Sequence, residues 1–397
     1  MYLQRSFVDT KSSKEETKQI IISVYAFLSG FVFFEPSFAE IFFISTVPFL
    51  LFSIKFDYKT IIFGIILLLS LTASFLVGNF LGWSSLSYSI RYTIIDFYLV
   101  LLFLVFISVI NQIENKDSLM NSLMKYWTIS AFINIFSCFF ATATGVTNFG
   151  GVNVISFGIR FQGFFKDPNV LGPFLAIPLA FWFEKYLKSQ RKNISYLFIS
   201  LILILGVVMT FSRAAWLNIF FTIFILLLLN FRRISVKEYF RMISFVFLIM
   251  LLLALLIISD IEILGYRLSA FLLNRLGLQS YDQDRFESQK AFVKGIEESL
   301  FFGVGPGNYS LISPMAAHSL YFRMLGERGL CGLLVLLIII LVSLKNFWKM
   351  RKSYSFLFAG LVGTLINSFF IDSWHWRHLW ILFAIGFSQS ERHNRLE

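Results

Sequence analysis

Apolar residues in this chain fall into about twelve long runs, roughly 20–35, 38–54, 60–77, 88–110, 122–144, 168–184, 194–211, 213–230, 241–259, 317–343, 354–371 and 376–389. About 20 apolar residues in a helix cross the hydrocarbon of a bilayer. The pattern therefore predicts an all-α polytopic membrane protein with about twelve transmembrane helices. The last run is short, so eleven is the alternative count. The first run follows a charged lead that includes Glu15 and Glu16, and no small-residue cleavage site comes after it. It reads as a retained first helix rather than a signal peptide. Residues 1–397 read as a single membrane domain without internal repeats, within which 260–316 forms one long polar loop.

The polar residues between the runs set an orientation. Lys185, Lys188, Arg191 and Lys192 crowd one loop, Arg232, Arg233, Lys237 and Arg241 a second, and Lys345, Lys349, Arg351 and Lys352 a third. With the spans counted as above, all three lie on one side. Arg5, Lys11, Lys14 and Lys18 at the amino end, and Arg392 and Arg395 at the carboxyl end, fall there too. The positive-inside rule makes that side cytoplasmic. The two long loops, about 146–167 and 260–316, then face outward. Within the second, 284–300 (DRFESQKAFVKGIEESL) places Phe286, Phe292, Val293, Ile296 and Leu300 near helical spacing, which predicts an amphipathic helix on the membrane face.

Composition agrees. The chain is 57% hydrophobic and 14% charged, with mean hydropathy +0.75, whereas soluble domains are nearer half apolar and a quarter charged. The net charge of +11 sits in short loops between apolar runs, so it points to membrane lipids and not to nucleic acid. Cys138 and Cys331 lie in or beside apolar segments and offer neither a disulfide framework nor a metal pair. No spacing of acidic, His and Cys residues suits a metal, and no cofactor is implied.

Candidate chemistry gathers on the outward face. Asp167-Pro168, Ser212 and Ser313-Pro314 are start signals for three helices that point their N-termini outward. Free N–H groups there favour anions. Arg160 and Lys166 precede the first start, Arg213 follows the second, and Arg285 lies in the long loop. Arginine forks match phosphate oxygens, so this set suits a lipid diphosphate. Each arginine also has a plainer reading as a headgroup or interface charge, and Arg91 is read as a structural partner of Asp96. Gly303, Gly305 and Gly307 in GVGPGN read as a turn. His318 near a helix start would be kept neutral and able to accept a proton from a hydroxyl; a structural histidine is the alternative.

These residues resemble a known family. His318-Ser319, nine residues, then Gly329-Leu330-Cys331-Gly332 resembles the H-[NSQ]-x9-G-x-x-[GTY] pattern of the O-antigen ligase family of periplasmic glycan transferases. FFGVGPGNY (301–309) resembles the glycine-rich segment before that histidine, with Arg285 ahead of it. RFQGFFKDPNVLG (160–172) is similar to an R-x-x-G-x-F-x-x-P-N segment, and FSRAAWL (211–217) to an S-R-[GA]-[AG] element. LSGFVFFEPSFAEIFF (28–43) is similar to openings of related exopolysaccharide proteins.

The resemblance implies a GT-C-like, metal-independent, inverting glycosyltransferase in the bacterial inner membrane, with its site facing the periplasm. Its donor would be a glycan on undecaprenyl diphosphate, held by Arg160, Arg213, Arg285 and Lys166, with His318 and Arg285 catalytic. The acceptor would be lipid A-core for a ligase or a growing glycan for a repeat-unit polymerase. Some polymerases show a twin R-x10-G arrangement. Here Arg160 to Gly172 is one residue too long, which leans toward ligase. A lipid or polysaccharide flippase is the non-enzyme alternative, although transporters place polar groups mid-bilayer, often with repeat symmetry.

Overall fold

The computed structural model describes residues 2–82, 86–190, 193–235, 237–238, 240, 251, 254–255, 258–259, 261–277, 280–294, 299–308, 313 and 317–388. The chain is mostly helical. Among the described residues the helices are α1 (Tyr2–Leu28), α2 (Phe38–Leu51), α3 (Tyr58–Phe80), α4 (Leu86–Gln112), α5 (Lys116–Thr144), α6 (Pro168–Lys188), α7 (Ile194–Met209), α8 (Arg213–Asn230), α9 (Leu268–Leu276), α10 (Ser280–Lys294), α11 (Leu320–Lys349), α12 (Ser355–Asn367) and α13 (Arg377–Ser388). Among the described residues, three two-residue antiparallel ladders lie in the loops: β1–β2 (Asn148–Phe149 with Val152–Asn153), β3–β4 (Ile155–Ser156 with Arg160–Phe161) and β5–β6 (Glu262–Ile263 with Tyr266–Arg267).

Among the described residues, α3, α4, α5, α6, Arg213–Arg233 and α11 are long and apolar enough to cross a membrane, and α2, α7 and α12 are shorter apolar helices. The run at 241–259 lies largely outside the described residues. The chain is thus an all-α membrane protein.

Two compact units make up the chain. The first comprises Met1–Ile129, Gln283–Met350 and Ser368–Glu397. Its centre is α4, packed against α3 and α13, while α11 packs on α3 and α13. Phe103 of α4 meets Trp380 and Phe387 of α13 edge-on, at 5.8 and 5.0 Å between ring centres. The second comprises Ser130–Asp282 and Arg351–Asn367. Its centre is the buried α6, on which α7, α8 and α12 pack.

The second unit has a small satellite core in which Leu268 and Leu272 of α9 pack with Ile159 and Phe211. Two of the three start signals work as the sequence predicts. The Asp167 carboxylate accepts from Asn169 N at 2.7 Å ahead of Pro168, and Ser212 Oγ accepts from Ala215 N at 3.4 Å.

The orientation has a direct test in a Cys138→Ser/Cys331→Ser background. A cysteine at Asn148 should react with a membrane-impermeant thiol reagent from outside, and a cysteine at Gln190 only after permeabilisation. The reverse pattern would invert the topology.

Candidate active site

The RFQGFFKDPN segment is a self-closing element of the second unit. Arg160 leaves β4 buried, with Nε donating to Thr210 O at 2.8 Å and Nη2 to Asn169 Oδ1 at 3.0 Å. Gln162 Nε2 donates to Phe165 O at 2.7 Å, and Phe164 N to Asn134 Oδ1 at 2.7 Å. Arg160 therefore joins the loop to the α7–α8 hairpin and the start of α6. Lys166 stays exposed, one residue before the Asp167 cap.

Arg213 opens α8. Its Nη2 donates to both oxygens of Asp282, at 2.6 and 2.7 Å, and Nη1 donates to Gly277 O at 3.0 Å. Asp282 lies in the first turn of α10, the helix that also carries Arg285.

α10 is buried along one side and exposed along the other. Asp282, Ser288 and Phe292 are buried and Arg285 is half-buried, whereas Phe286 and Val293 are 53% and 46% exposed. The inward stripe is thus Asp282, Arg285, Ser288 and Phe292, spaced as one helix face. Asp282 sits on this stripe with Arg213 as its partner. Phe292 lies on α11 at Gly326, where any Cβ would stand 2.2 Å from its ring. A groove of about 490 Å³ lined by Phe286, Gln289, Lys290, Val293 and Phe322 runs between the same helices. Ile296 falls outside the described residues.

His318 stands just ahead of α11, half-buried, with φ +44°. The helix does not begin at Ser313-Pro314, as the sequence predicts; Pro314 is outside the described residues. It begins at Leu320, because Leu320 N is taken by Ser368 O at 2.9 Å and the chain turns helical only beyond it.

Below His318, α11 opens. Gly329 has φ +62° and ψ −163°, and the helical ladder is interrupted there. Leu330 N and Cys331 N, which would bond the carbonyls four residues back, instead bond Leu300 O and Phe301 O at 2.9 and 3.0 Å. The carbonyls so released, Gly326 O and Glu327 O, accept from Val304 N and Gly305 N at 3.0 and 2.9 Å. Residues 300–305 are thereby spliced into the helix. A Cβ on Gly303 would lie 2.5 Å from the Glu327 backbone, and one on Gly329 would lie 2.4 Å from Phe301. Both positions also have positive φ, so glycine is required twice over. GVGPGN is the turn that was expected, and it locks to the glycine that follows His318 in sequence.

Next to this splice lies an ionic cluster that sequence reading missed. Glu327, Arg328 and Asp96 are fully buried. Glu327 Oε1 accepts from Arg323 Nε at 3.1 Å, and Oε2 accepts from Gly307 N at 3.1 Å and Arg328 Nη1 at 3.2 Å. Asp96 accepts from Arg328 and from Trp374 Nε1, the latter at 2.6 Å, with His375 Nε2 at 3.8 Å. Arg91, read as the partner of Asp96, instead pairs with Glu35 at 2.7 Å. Arg323 also pairs with Asp372. Burial pushes the Asp372 carboxyl up, but Arg323 and His375 outweigh it and hold the group below the usual carboxylate range.

The structure thus gathers His318, the α10 helix of Arg285 and this cluster in the first unit, and Arg160, Lys166 and Arg213 in the second. Among the described residues no group of three His, Cys, Asp or Glu side chains is placed to hold a metal ion. Residues 198–337 match the family model described as O-antigen ligase. The matched stretch takes in Arg213, Arg285, His318 and the break at Gly329; Arg160 and Lys166 lie ahead of it. A search of curated proteins finds no match to the chain.

Proposed function

We propose that the chain, whose residues 198–337 match the O-antigen ligase family, is a membrane glycosyltransferase of that family that moves a glycan from undecaprenyl diphosphate to an acceptor hydroxyl at the periplasmic face of the bacterial inner membrane. The observation that carries this reading is the first-unit arrangement, in which His318 heads α11 and the helix bearing Arg285 lies along the same stretch of α11.

His318 takes the proton of the acceptor hydroxyl as its oxygen bonds the anomeric carbon. The bond from that carbon to the diphosphate breaks, and undecaprenyl diphosphate leaves with the electron pair. Attack opposite the leaving group inverts the configuration. Arg285, Arg213, Arg160 and Lys166 supply positive charge to the diphosphate as its negative charge grows. The cationic set takes the place of a metal ion, so transfer proceeds in excess EDTA. Arg160 and Arg213 already bond protein oxygens, so they serve the donor through their remaining N–H groups or by exchanging those partners.

Lipid A-core is the favoured acceptor, because the Arg160–Gly172 spacing departs from the polymerase arrangement by one residue. A growing glycan is the second reading. Deleting the gene separates them. A ligase deletion leaves core lipid bare while polymerised glycan accumulates on undecaprenyl diphosphate. Core lipid carrying a single repeat unit in the deletion strain would identify a polymerase.

A further inference from the structure

The first turn of α10 sets a carboxylate on a guanidinium that the proposed reaction assigns to phosphate. Both Asp282 oxygens accept from Arg213 Nη2, and the Gly277 carbonyl accepts from Nη1. The Asp282 side chain is 10% exposed and that of Arg213 31%, so the pair is shielded on the carboxylate side and open on the arginine side. Carboxylate and phosphate oxygens satisfy a guanidinium in the same way. Asp282 therefore occupies Arg213 as a phosphate would.

We propose that Asp282 is a specificity-determining residue: it competes for Arg213 with incoming lipid headgroups, so that a diphosphate displaces it and a singly charged phospholipid does not. The inference rests on the reading of Arg213 as a donor ligand. The physical reason is one of charge. A phosphodiester headgroup brings a single negative charge, no more than Asp282 already supplies. Exchanging one for the other gains nothing and leaves a carboxylate to be rehydrated. A diphosphate brings more charge and more acceptor oxygens, and the exchange runs in its favour. A site open to a membrane meets bulk anionic phospholipid far more often than a scarce lipid diphosphate. Building in a cost against the common competitor is a known route to discrimination.

The test uses the full chain in nanodiscs, with a polyprenyl diphosphate as probe, in phosphatidylcholine with and without phosphatidylglycerol. Asp282→Asn keeps the side-chain shape and removes the charge. In phosphatidylcholine it should bind the probe about tenfold more tightly than wild type. Phosphatidylglycerol should weaken binding to Asp282→Asn several-fold more than binding to wild type. In an Arg213→Ala background the substitution should bring no gain. Unchanged or weaker binding by Asp282→Asn overturns the proposal and makes Asp282 a support for Arg213. A gain that persists without Arg213 overturns competition at that residue and leaves the diphosphate reading standing. Unchanged binding by Arg213→Ala alone overturns both the donor role of Arg213 and the competition built on it.

Discussion

His318→Ala should lower the rate of glycan transfer by about 10²–10⁴, the usual worth of a positioned general base, while binding of the lipid diphosphate donor survives. His318 lies ahead of α11, outside its hydrogen-bond ladder, so removing the imidazole takes away no helical bond. Donor affinity should hold because the diphosphate is assigned to the arginines. Arg285→Ala, in contrast, should weaken donor binding and slow transfer together, since one charge serves the diphosphate both bound and leaving. Arg285→Lys should recover part of the loss, keeping the charge without the fork. Transfer rate and donor affinity, measured in membranes with abundance checked by blot, separate the cases. Wild-type transfer by His318→Ala at normal abundance would make His318 a structural residue.

Asp96→Ala should cost about 3–5 kcal/mol of stability, the penalty for leaving a buried charge without its partner. The carboxylate takes Arg328 and the Trp374 indole, and both are fully buried. Without Asp96, the Arg328 guanidinium keeps Glu327, which Arg323 and Gly307 already share. The effect reaches, through that carboxylate, Gly307 at the end of the glycine-rich turn. Replacing both partners, as Asp96→Leu with Arg328→Met, should restore part of the stability, because an apolar pair of similar volume leaves no buried charge. Thermal unfolding in detergent, followed by size-exclusion chromatography, reads both variants. Wild-type stability of Asp96→Ala would show that the pair does not hold the unit together.

What the sequence made legible follows from the range of the interactions involved. Membrane segments are visible because span length is a local property of the chain, and Asp167 and Ser212 are visible as caps because a cap reaches only two or three residues ahead. The start of α11 was misplaced because its decisive partner, Ser368 O, is 48 residues away from Leu320 N. Arg91 and Asp96, five apart on α4, point about 140° from each other around the helix; Asp96 finds Arg328 on α11 instead. On α10, apolar periodicity gives no sign that Asp282 turns inward to Arg213. The glycines of GVGPGN and Gly329 were each noticed, but nothing local shows that one segment is spliced into the other. Nothing near His375 in sequence marks it, and only folding sets it 3.8 Å from Asp96.

The most direct measurement is transfer by the purified protein. Wild-type chain in proteoliposomes, given glycan on undecaprenyl diphosphate and an acceptor lipid A-core in excess EDTA, should yield glycan attached to the core and free undecaprenyl diphosphate, and His318→Ala should yield neither at a comparable rate. No transfer by folded wild-type protein, or transfer that appears only when Mg²⁺ or Mn²⁺ is restored, would contradict the account.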